Sequence, residues 1–82
     1  MNRNDLAKCL GDFTVVSGTG YHQVFGDYAA VVKVLQANGG LPGAIPYCDP
    51  YWTFSHCSVS YCPAAEYFLI VDAWGVAARS QA

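Results

Sequence analysis

The chain has 82 residues, 54% of them hydrophobic, 15% aromatic and only 12% charged, with a formal net charge of −2. Soluble domains carry about 25% charged residues, so this one has half the usual complement. The composition excludes intrinsic disorder, which needs low hydrophobicity and high charge. It also excludes an electrostatic nucleic-acid binder, because four basic residues fall short of the ~6–10 phosphate contacts such binding uses.

Residues 1–82 read as a single small domain, since domains commonly span about 100–200 residues and no linker divides the sequence. Asn4 is placed to cap a first helix over 5–12, with Asp5 at its positive end. Leu6, Cys9, Leu10 and Phe13 then follow the spacing of one buried face. Two β-rich runs, 13–16 and 21–25, flank Ser17-Gly18-Thr19-Gly20, which reads as a hairpin turn. A phosphate-binding loop would instead lead into a helix N-terminus, and the Gly-Lys-Ser/Thr signature of such loops is missing.

DYAAVVKVLQANGG is the clearest helical signal, over 28–38. Asp27 caps it, Tyr28, Val31, Val32 and Leu35 form its apolar stripe, and Asn38-Gly39-Gly40 stops it. Residues 41–62 contain three prolines, three cysteines and a single charge, Asp49. Tyr51–Tyr61 alternates as a strand or hairpin. On that reading Trp52, Phe54 and His56 share one face, and Cys57, Val59 and Tyr61 share the other. Pro63 at a first helical position and Glu66 in the first turn point to a C-terminal helix over 63–79. Tyr67–Val71 is also a strong strand former, and so short an apolar run does not separate the two by periodicity. The expected fold class is therefore α+β: a hairpin, a central helix, an aromatic strand-like segment and a C-terminal helix.

Cys9, Cys48, Cys57 and Cys62, with His22 and His56, invite three readings. Zinc needs two short ligand pairs, and only Cys57-x4-Cys62 has that form. Two disulfides fit the even count, with Cys57–Cys62 and Cys9–Cys48 as one arrangement. Free thiols acting as small buried hydrophobes are the favoured reading. No cysteine–histidine or carboxylate pair has a spacing that singles out a nucleophile and its base, so no catalytic residue, cofactor or metal is assigned and the chain reads as non-enzymatic. No run of about 18 apolar residues is present, so no membrane span is expected. The N-terminal residues lack the apolar stretch of a secretory signal, which points to the cytoplasm or the interior of a particle.

The twelve rings (two Trp, six Tyr and four Phe) bury ~150–250 Å² each, more than one thin core readily hides. Interface centres are rich in Tyr, Trp and Phe and poor in charge. Tyr47, Tyr51, Trp52, Phe54 and Tyr61 accordingly read as apolar anchors for a protein partner or for self-association. The expected role is an interaction protein. It would be a subunit of a larger assembly, or an inhibitor of the kind carried by phages and mobile elements. The competing reading is a small disulfide- or zinc-stabilised module, with secretion as one setting for it.

Overall fold

The structure is a computed structural model that describes residues 1–43 and 50–72. Tyr47, Cys48 and residues 73–79 of the expected C-terminal helix lie outside the described residues. The elements are α1 (Arg3–Cys9), β1 (Thr14–Gly18), β2 (Tyr21–Phe25), α2 (Tyr28–Ala37), β3 (Leu41–Gly43), β4 (Tyr51–Thr53), β5 (Cys57–Cys62) and β6 (Tyr67–Asp72). The strands form one sheet in the order β1-β2-β6-β5-β4-β3, every neighbouring pair antiparallel. The α+β expectation is corrected: the described residues form mostly an open six-stranded antiparallel sheet with two short helices.

The cap of α1 is Asn2 rather than Asn4. Its side chain accepts from the Asp5 amide at 2.8 Å, which satisfies one of the helix's unpaired donors. The helix therefore starts two residues earlier than expected and leaves Asn4 free for another partner. Leu6 and Leu10 are fully buried, whereas Cys9 is exposed, outside the buried stripe. The first hairpin turns through Thr19 and Gly20 alone, with Gly20 at φ +81°, a backbone region that glycine enters without penalty.

α2 forms where the sequence pattern predicts, but of its expected stripe Tyr28 is 42% exposed and Val32 half-buried. The Asp27 carboxylate accepts from the Ala30 amide at 3.1 Å. At the other end Gly39 has φ +89°, its amide donates to the Gln36 carbonyl at 3.1 Å, and the Gly40 amide donates to the Leu35 carbonyl at 2.9 Å. Those two bonds constitute a Schellman cap. Val31 and Leu35 are buried, and Lys33 and Gln36 face solvent.

Beyond α2 the expected hairpin is present, but its faces and the segment that follows depart from expectation. The stretch from Tyr51 to Tyr61 is a hairpin, and the Phe54 amide donates to the Cys57 carbonyl at 2.9 Å across its turn. Trp52 stands opposite Val59, so it shares a face with Cys57, Val59 and Tyr61 instead of opposing them. Pro63–Glu66 is no helix start. It is a four-residue turn in which the Glu66 amide donates to the Cys62 carbonyl at 2.8 Å and Glu66 sits at φ +56°. Residues Tyr67–Asp72 then run as a strand, which corrects the helix expected from 63 onward. The physical reason is position: β6 lies between β2 and β5. Both edges of its backbone are satisfied by neighbours, and the β-branched and aromatic run suits a pleated surface.

Both helices cover one face of the sheet. Leu6, Leu10, Val31 and Leu35 pack there against Val24, Trp52, Cys57, Val59, Phe68 and Ile70, all at most 3% exposed. No helix among the described residues is long and apolar enough to cross a membrane.

Candidate functional site

Of the five anchors expected from the sequence, Tyr47 lies outside the described residues. Trp52 is 3% exposed and belongs to the core. Phe54 and Tyr61 are half-buried and pack against that core. Tyr61, Phe68, Trp52 and Tyr28 form a nest of rings with centroids 4.8 to 6.2 Å apart, within the ordinary range for aromatic pairs. Four of these rings thus meet between α2 and the sheet. Tyr51 stands apart on the opposite face, where its ring lies across Gly43.

That opposite face is free of both helices. Alternation places Val16 of β1, Tyr21, Gln23 and Phe25 of β2, and Tyr67, Leu69 and Val71 of β6 on it. The same register adds Ser58, Ser60 and Cys62 of β5, Tyr51 and Thr53 of β4, and Leu41 and Gly43 of β3. No charged side chain stands at any of these positions. Val16 is 47% exposed and Leu41 68%, with Tyr21 and Phe25 also open to solvent. Ser58 is buried, so the open apolar area divides, its larger part over β1, β2 and β6. There a groove of about 430 Å³ is lined by Gly20, Tyr21, Gln23, Tyr67, Leu69 and Val71. The Phe25 and Tyr67 rings meet at its end, centroids 5.6 Å apart, and the Tyr21 ring lies across Gly18.

Sequence reasoning passed over this face, although β2 carried a signal. A strand with one wet face shows apolar residues at alternate positions only. Here His22 and Val24 face the helices, while Tyr21 and Phe25 on the outward side are equally apolar.

A polar cluster occupies the helix side. The Ser17 hydroxyl lies 2.6 Å from His22 Nδ1, and His22 Nε2 lies 2.9 Å from Asn4 Oδ1. With the imidazole neutral, Ser17 donates to Nδ1 and Nε2–H donates to Asn4. The three stand in the order of a nucleophile, its base and an orienting group, but Ser17 and His22 point to the helix side while the groove opens on the other. A molecule in the groove does not meet that hydroxyl. The cluster instead fastens α1 to the hairpin, beside an ion pair between Arg3 Nη1 and Asp72 Oδ2 at 2.6 Å.

Partial burial, and secondarily the positive charge of Arg3, lower the His22 pKa from its ordinary value. The unfolded chain therefore takes up this proton at higher pH than the folded one. The stabilisation is complete above the unfolded value of about 6.5 and declines as pH falls below it. Urea denaturation from pH 7 to pH 5 is expected to show that decline in wild type, and His22→Gln is expected to lessen it. An unchanged slope in the variant would place the sensitivity elsewhere.

Cys9, Cys57 and Cys62 are free thiols. Cys57 and Cys62 stand at the two ends of β5 on opposite faces. Five strand steps separate their Cα atoms by roughly 16 Å, against the ~4.4–6.8 Å a disulfide spans. The pairing of Cys57 with Cys62, in a disulfide or as a short-spaced zinc pair, is thereby removed. Cys9–Cys48 lies partly outside the described residues. Burial pushes the Cys57 thiol above its ordinary pKa, the nearby N-terminal ammonium opposes this, and Asp72 adds to the rise.

Comparison with family models, with curated proteins and with solved structures finds no match for this chain. The functional reading therefore rests on the residues and their arrangement.

Proposed function

We propose that this domain is a non-enzymatic interaction module, a subunit of a larger protein assembly, which docks through the sheet face that neither α1 nor α2 covers. The observation that carries the reading is the absence of charge from every strand position on that face, together with the open residues Val16, Tyr21 and Phe25. Interfaces are depleted of charged residues at their centres and enriched in aromatic ones. Exposed apolar patches on small soluble proteins commonly mark interaction sites. The partner that fits is an uncharged aliphatic or aromatic patch on another protein. A nucleic-acid strand would need basic residues beside its stacking rings, and the described strands place none on this face. Among the described residues, the aromatic segment first expected to bind keeps a share through Tyr51, which is on the same face.

A photo-reactive phenylalanine analogue at Tyr21 and, separately, at Lys33 on the exposed side of α2 tests this in the producing cell. Cross-linked protein adducts are expected from position 21 and not from position 33. Adding Leu69→Asp, which sets a charge in the groove, is expected to remove them. Adducts from both positions alike, or from neither, would reject the sheet face as the docking surface.

A further inference from the structure

The two edges of the sheet differ in a way that follows from hydrogen-bond parity. In a two-residue hairpin the pair flanking the turn exchanges both hydrogen bonds, and pairs then alternate between bonded and non-bonded. Gly18↔Tyr21 flanks the first turn, so Gly18, Val16 and Thr14 bond inward to β2. Val15 and Ser17 turn their N–H and C=O groups outward. The same parity carried across the sheet makes Tyr61 bond toward β4, as its amide does by donating to the Pro50 carbonyl at 3.0 Å. It also makes Pro42 the outward-facing residue of β3, opposite Trp52. Proline has no N–H to offer, a common way to close an edge to further strands. β1 has no such guard. It is uncharged, contains no proline, pairs one-to-one with β2 along its whole length and is exposed at four of its five residues.

We infer that β1 pairs with β1 of a second copy of this chain, antiparallel about a two-fold axis at Val16. In that register Val15 of each copy exchanges two hydrogen bonds with Ser17 of the other, which satisfies all four outward groups on each strand. The arrangement is self-complementary, as a two-fold interface requires, and no like charges are brought together because β1 has none. The two Val16 side chains, each 47% exposed in the single chain, then stand directly opposite each other on the helix-free face.

The pairing joins two grooves into one surface. The open part of the face spans three strands at ~4.8 Å spacing and about 17 Å of strand length, roughly 250 Å² per copy. A standard protein interface takes about 800 Å² from each partner. A paired sheet doubles the available area and brings it much closer to that figure. The edge pairing rests on the backbone of β1 and stands whether or not the face docks a partner.

Light scattering over a concentration series, with variants at the edge and on the face, tests the inference. Wild type is expected to form a dimer. Val16→Lys sets two ammonium groups against each other at the axis and is expected to raise the dissociation constant tenfold or more, while circular dichroism shows an intact fold. Val16→Thr keeps the dimer. In a Cys9→Ser background, Val16→Cys is expected to form an intermolecular disulfide under mild oxidation, and Leu41→Cys at the opposite edge is not. A wild type that is monomeric throughout would overturn the pairing. So would a dimer that Leu69→Asp breaks and Val16→Lys leaves whole, because the copies would then meet face to face. The cross-links from Tyr21 answer separately for the docking face.

Discussion

Trp52→Ala is expected to cost about 3–5 kcal/mol, the range for truncating a large buried aromatic. A domain of this length has about 4–12 kcal/mol of stability in all, at ~0.05–0.15 kcal/mol per residue. The variant should therefore lose a large share of its stability, with its urea midpoint strongly lowered. Trp52 is 3% exposed and sits opposite Val59, with the rings of Tyr28 and Phe68 within 6.2 Å of its own. Removing the indole leaves a hole bounded by α2 on one side and β5 on the other. Its Nε1–H is buried without a hydrogen-bond partner among the described residues, and phenylalanine keeps most of the ring's apolar contact area. Trp52→Phe is accordingly expected to keep a cooperative urea transition, displaced by far less than in the alanine variant. A Trp52→Ala protein with wild-type near-ultraviolet circular dichroism and an unchanged urea midpoint would take Trp52 out of the core.

Trp52 also shows where the sequence stopped being informative. Its aromatic, uncharged neighbourhood was legible, and so was the hairpin character of 51–61, but not the turn at residues 54–56 that reverses the chain. Without that turn a continuous strand puts Trp52 and Cys57 on opposite faces. With it they share one, because opposed residues in an antiparallel pair point the same way. A shift of this kind moves a whole set of side chains from one side of a sheet to the other. The same ambiguity hid β6. Pro63 and Glu66 fit a helix start locally, and only pairing with β2 and β5 shows them to be a turn that Glu66 closes in the left-handed region. α2 was readable because its cap, stripe and terminating glycines lie within fourteen consecutive residues. The uncharged sheet face opposite the helices was not, because it collects side chains from strands fifty residues apart. Its charge-free character does echo the low charge of the composition, but the sequence pointed to 41–62, whereas the open rings of this face, Tyr21 and Phe25, stand on β2.

The second large effect is expected at α1. Seven residues are too few for a helix to persist alone in water, so its helicity depends on what it packs against. Leu6 and Leu10, both fully buried, lie against the core that includes Val24 and Ile70. Polar ties add to this: Arg3 to Asp72 at 2.6 Å, Asn4 to His22 at 2.9 Å, and the Met1 ammonium donating to the Ser55 hydroxyl at 2.8 Å. The magnitudes decide between the two kinds of anchor. Leu6→Ala removes a fully buried side chain and is expected to cost about 2–5 kcal/mol. Arg3→Ala breaks an ion pair whose partners are each 24% exposed, and solvent screening holds such pairs near 1 kcal/mol or below. Hydrogen exchange is expected to show the α1 amides, together with those of β2 beneath them, losing protection in Leu6→Ala. In Arg3→Ala they should remain protected, with the urea midpoint only slightly lowered. If Arg3→Ala released the helix while Leu6→Ala left it protected, the ion pair rather than the leucines would be what holds α1 on the sheet.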